Sequence, residues 1–140
     1  MSRIVVGVDG SPASEAALRW AHEYAEASGG SIEIIMSWNE HPLLAGISET
    51  LGGGVPLDQV EAQAQVLLEA TVNAAIPDGS TVNITSSVIS GSPGDALVDA
   101  GVLADVLVVG RPHRSALRNL GSVAAHCARN ATCPTVVVPE

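Results

Sequence analysis

Apolar residues fall into short, nearly unbroken blocks separated by stretches with helical spacing. Arg3-Ile4-Val5-Val6-Gly7-Val8-Asp9 is such a block, ending at polar Asp9 and Gly10, and it predicts a strand covered on both faces. Ser11-Pro12 supplies an N-cap followed by proline at the first helical position, where its missing N–H costs nothing. Ala16, Ala17, Trp20, Ala21 and Tyr24 then recur at helical spacing, a stripe expected to rest on a sheet until Gly29-Gly30 ends the helix. Ser31 to Trp38 predicts a second strand through Ile32, Ile34, Ile35 and Met36. From Asn39 to Pro56 the periodicity vanishes and four glycines occur. A connection of that length is either a ligand-side loop or a tolerated surface insertion.

The next helix is expected from Leu57 to Ile76, with Val60, Ala64, Leu67, Leu68, Val72 and Ala75 along its inner stripe. Pro77-Asp78-Gly79 forms a turn, and Thr81 to Ile89 alternates Val82, Ile84 and Val88 with polar residues, which suits an outer strand. Ser92-Pro93-Gly94-Asp95 repeats the cap of Ser11-Pro12 and opens a short helix through Val102. Asp105 to Gly110 is a fourth buried block, Ser122 to Arg129 a last helix, and Thr135 to Val138 a terminal strand. Alternating strands and helices with right-handed crossovers give an open α/β sheet in a single domain spanning residues 1–140.

Composition narrows the picture. The chain has 140 residues, 46% of them apolar, so it can bury a core of its own. Phe is absent, which leaves Val, Ile, Leu and Ala to fill that core. The formal charge is −9 with no lysine, and such a surface disfavours general nucleic-acid binding. Four arginines and a single acid between Asp105 and Arg129 reverse that sign locally. Cys127 and Cys133 form no disulfide framework and read as inert thiols in a reducing interior. With no basic leader and no long apolar span, a cytoplasmic location and no membrane contact are expected.

In an open sheet, ligands bind beyond the carboxyl ends of the strands where strand order reverses. Asp9-Gly10 and Gly110 satisfy that rule. Gly121-Ser122 opens a helix whose free amides attract anionic oxygen, and Arg111, Arg114 and Arg118 offset the negative field met by an arriving phosphate. The alternatives are structural: Gly121-Ser122 as a plain cap, the arginines as solvated pairs, Asp9 as a cap of the helix near Ser11, and Trp38 as core. The histidines at 22, 41, 113 and 126 lie in different local settings, and the sequence alone does not place any of them with a reactive serine or cysteine.

Val-Gly-Val-Asp-Gly-Ser at 6–11, Gly110, Gly121-Ser122 and Cys133-Pro134-Thr135-Val136-Val137-Val138 together resemble the universal stress protein family over nearly the whole chain. The resemblance implies a five-stranded parallel sheet ordered 3-2-1-4-5 with helices on both faces, of the adenine nucleotide alpha hydrolase-like kind. It also implies a stress-response regulator that binds an adenine nucleotide, ATP in many members and AMP or ADP as alternatives. Carried over by position, Val8 and Asp9 lie by the ribose or a nucleotide-bound Mg2+, Trp38 by the base, and Gly110, Arg111, His113, Arg114, Gly121, Ser122 and Val123 around ribose and phosphates. Thr135, Val136, Val137 and Val138 would form a homodimer seam. One departure lies inside the family's glycine pattern: His113 stands where the second glycine belongs, and seven residues instead of nine separate it from Gly121. A nucleotide-free dimeric interaction module that meets an unknown protein partner is the rival expectation. A slow ATPase comes third, and a dedicated enzyme is not expected.

Overall fold

The computed structural model describes residues 2–37, 57–111 and 122–140. Five strands form one parallel sheet: β1 (Arg3–Val8), β2 (Ser31–Ser37), β3 (Asn83–Ile89), β4 (Val106–Arg111) and β5 (Thr135–Pro139). The order is β3-β2-β1-β4-β5, as the resemblance implied. The helices between them are α1 (Pro12–Ser28), α2 (Leu57–Ala75), α3 (Pro93–Gly101) and α4 (Ser122–Asn130).

Strand alternation divides the core in two. Ile4, Val6 and Val8 of β1, Ile32, Ile34 and Met36 of β2, and Val106 and Val108 of β4 pack under α1 and α2. Val5, Ile35, Leu107 and Val109 point the other way, towards Leu97 of α3 and Ala124 and Cys127 of α4. This is what right-handed crossovers require: moving outward from β1 to β3 puts two helices on one face, and returning past β1 to β4 and β5 puts two on the other. Strands β1, β2 and β4, inside the sheet, are largely buried, whereas edge strand β3 has no fully buried residue, as an outer position requires.

Several expectations are corrected in detail. The buried face of α1 is Ala13, Ser14, Ala17, Leu18, Ala21, His22 and Ala25. Trp20 only flanks the core, and Tyr24 is exposed, stacked on the Trp20 ring with centroids 5.2 Å apart. The predicted stripe was therefore rotated about one position away from the sheet, because the ring-bearing residues drew it. Strand β3 begins at Asn83 and not at Thr81, since the Val82 N–H donates to Oγ of Ser80 at 3.2 Å and extends the preceding turn. Ser92 makes no side-chain cap bond. Cys133 is half-buried.

Candidate functional site

Parallel strands place all their carboxyl ends, and the starts of the helices that follow them, on one rim of the sheet. The chain runs outward from β1 to β2 and β3, then returns to the other side of β1 as β4, so the reversal of strand order falls between β1 and β4. There Val6 pairs with Val108 in register, two residues short of both Val8 and Gly110. Asp9-Gly10 and Gly110-Arg111 are thus brought to the same stretch of rim, as the strand-end rule anticipates.

The β1 end is held by a closed set of local bonds. Gly10 has φ 83°, a left-handed conformation that side chains disfavour, and this turns the chain sharply from β1 into α1. The Ser11 N–H donates to Oδ1 of Asp9 at 2.9 Å, and the Asp9 N–H donates to Oγ of Ser14 at 3.3 Å. Ser14 in turn donates its hydroxyl to the Ser11 carbonyl at 2.9 Å, while its N–H donates to Oγ of Ser11 at 3.2 Å. Asp9 therefore does brace the entry to α1, the structural role weighed for it. Among the described residues only Oδ1 is used this way, and the residue remains exposed.

Gly110 is glycine for a packing reason. A Cβ there would lie 2.4 Å from the carbonyl oxygen of Ala13, so the first turn of α1 presses directly on the end of β4. Arg111 follows as the last residue of β4; it is exposed and pairs in register with Pro139. Val8 is buried among the core residues beneath α1 and α2, so only its backbone is left to meet a ligand. Ser122 opens α4, and Val123 is half-buried against the second core. Trp38, His113, Arg114 and Gly121 lie outside the described residues. So do Arg118, His41 and the connection at 39–56.

Three polar features had no clear signal in the sequence. Ser37 at the end of β2 is buried and donates its hydroxyl to the Gly91 carbonyl, tying the β2 terminus to the loop before α3. His126 of α4 lies 3.0 Å from the Asp95 carboxylate of α3. His22, buried in α1, is 2.6 Å from Oγ of Ser80. Burial, reinforced by the nearby Cys133, pushes the Cys127 thiol up to about 11, and burial is also the main cause raising Cys133. No group of three or more His, Cys, Asp or Glu suited to a metal occurs among the described residues, and no described helix is long and apolar enough to cross a membrane.

These observations define a doubly wound α/β domain with a polar rim at its switch point. Residues 1–139 match the universal stress protein family, and the chain belongs to it. It is 30% identical to universal stress protein Rv2623 of Mycobacterium tuberculosis over an alignment covering 98% of the chain, and it spans 47% of that relative's length. A universal stress protein solved in complex with cAMP is 28% identical, with TM-score 0.62 and coverage of 99% of this chain and 96% of that one. The Archaeoglobus fulgidus universal stress protein solved with dAMP shares the fold at 24% identity, TM-score 0.69 and coverage of 99% and 98%.

Proposed function

We propose that the chain is a stress-response regulator that binds an adenine nucleotide, ATP in the first instance, on the carboxyl rim between β1 and β4. The observation that carries this reading is that two exposed residues, the acid Asp9 and the base Arg111, stand at neighbouring strand ends where strand order reverses. That donor set suits a nucleotide. A carboxylate accepts from ribose hydroxyls or holds a cation, and a guanidinium grips phosphate oxygens with paired donors. The cAMP complex of a 28% identical relative supports the same ligand class. Trp38, His113, Arg114, Gly121, Ser122 and Val123 complete the proposed site, and Mg2+ would enter with the nucleotide by way of Asp9. Magnesium's contribution, when bound, is to neutralise phosphate charge.

A nucleotide-free interaction module is the second reading, and two observations favour it. The space a glycine leaves at Gly110 is already taken by Ala13, and Oδ1 of Asp9 already serves the α1 entry. In either reading Thr135–Val138 of β5, the last strand of the sheet, is the proposed homodimer seam, because pairing would cover an apolar edge.

Isothermal titration calorimetry with ATP, ADP and AMP, each with and without magnesium, separates the two. Saturable binding of one nucleotide per chain, lost in Gly121→Asp, is the expected result. Absence of heat and of any thermal shift with every nucleotide would leave the interaction module standing. Unchanged affinity in Gly121→Asp would show that the phosphates bind elsewhere.

A further inference from the structure

His22 sits in the middle of α1 with 3% of its surface exposed, yet both ring nitrogens face polar groups. Nε2 is 2.6 Å from Oγ of Ser80, 58 residues away in the turn before β3. Nδ1 is 3.4 Å from Oε1 of Glu26, one turn further along α1. The proton arrangement follows from these partners. A carboxylate only accepts, so Glu26 favours the ring proton on Nδ1 and leaves Nε2 as an acceptor. The Val82 N–H already donates to Oγ of Ser80, so the serine's own proton is free to point at Nε2. Hydroxyl, imidazole and carboxylate then stand in the order that lets a neutral imidazole take a serine proton while the acid steadies the resulting cation.

Access is available from one side. Ser80 is half-buried, while Pro77, Asp78 and Gly79 ahead of it are exposed. A Cβ added at Gly79 would meet nothing within 4 Å, so the space beside the residue that precedes Ser80 is unfilled. The imidazole comes from α1, in the interior. This site precedes β3 and so lies at the amino rim, the opposite end of the sheet from the proposed nucleotide site, and does not depend on that reading.

We propose that Ser80 is a nucleophilic acylation site, with His22 as its general base and Glu26 as the residue that positions the ring. The ligand class is a small activated acyl donor, such as an ester with a good leaving group. Oγ of Ser80 forms a bond to the acyl carbon while its proton passes to Nε2 of His22. The bond from acyl carbon to leaving group then breaks, and the leaving group departs with that proton or as its anion. The product is an ester on Ser80, with no oxidant or reductant required.

The test uses the intact chain and p-nitrophenyl acetate, with acetylation mapped by peptide mass spectrometry. Exposed Ser90 and Ser92 serve as internal references. Ser80 is expected to acetylate on the order of 10²-fold faster than either, the scale of general-base assistance. Its rate should drop to the reference level in His22→Gln, fall several-fold in Glu26→Gln, and keep a pH dependence that Ser92 does not share. Ser80 labelling no faster than Ser92 overturns the proposal, as does full labelling in His22→Gln. If circular dichroism shows that His22→Gln fails to fold, the exposed Glu26 and the pH profile decide. An unchanged rate in Glu26→Gln together with a pH-independent ratio of Ser80 to Ser92 labelling overturns it equally.

Discussion

Two helices in this chain begin with the same dipeptide, Ser11-Pro12 for α1 and Ser92-Pro93 for α3, and the two serines end up doing different things. Both have extended backbone, φ −77° and −70°, and both put proline at the start of the helix. The first backbone helical bond forms in each case, Glu15 N–H to the Ser11 carbonyl at 3.1 Å and Ala96 N–H to the Ser92 carbonyl at 3.2 Å. Only Ser11 adds a side-chain cap. The residue three places on makes the difference. Ser14 donates both its N–H and its hydroxyl to Ser11 and also accepts from the Asp9 N–H, whereas Asp95 turns its carboxylate to His126 of α4. A dipeptide is enough to start a helix, but what its hydroxyl does is set by the neighbours that tertiary structure supplies.

The largest expected effect comes from the glycine under the start of α1, set against the glycine inside the start of α3. Gly110 lies under α1 and meets backbone: a Cβ would stand 2.4 Å from the Ala13 carbonyl oxygen and 2.5 Å from its carbon. Neither α1 nor the central strand β4 can yield cheaply, so Gly110→Ala should cost about 3 kcal/mol, the upper end for overpacking. Gly94 lies in the first turn of α3 and meets the His126 ring, at 2.7 Å from Cδ2. That ring is partly exposed and can rotate aside, and alanine gains helix propensity, so Gly94→Ala should cost less than about 1 kcal/mol. Urea denaturation of both variants measures the contrast. Equal losses would mean that the two contacts differ in name only.

The same distinction explains how much could be read from the sequence. Apolar blocks such as 4–8 and 106–109 identify central strands because burial on both faces leaves no room for polar residues, and the inner stripe of α2 follows from spacing alone. The position of Asp9 and Gly110 at one rim also follows, since the strand-end rule depends only on topology. The reason for glycine at 110 was not legible, because it is the approach of Ala13, 97 residues earlier in the chain. Tyr24 fitted a helical stripe yet is exposed, because small alanines on α1 let that helix sit close to the sheet and leave the ring outside. The pairing of His22 with Ser80 was hidden for a similar reason. Neither residue belongs to a local motif, and the two meet only once α1 packs beside the turn that leads into β3.

The smallest effects give the sharpest form of the comparison between the serines. Ser11→Ala removes an acceptor from the Ser14 N–H and should cost about 1 kcal/mol, the usual loss for a working N-cap. Ser92→Ala removes a hydroxyl with no cap bond, and the loss should stay within about 0.5 kcal/mol, the range of ordinary surface substitutions. Ser14→Ala should also destabilise, because its hydroxyl both donates to the Ser11 carbonyl and accepts from Asp9. Since each of these side chains bonds the other residue's backbone, with Ser14 the donor in both bonds, the two substitutions act on one network and the double variant should lose less than the two single variants added together. Strict additivity would mean that each serine acts alone, and the contrast between the two helix starts would then reduce to the presence or absence of one hydrogen bond. A shortfall of about 0.5 kcal/mol or more would show that the turn from β1 through Asp9 into α1 is one cooperative unit, for which the start of α3 has no counterpart.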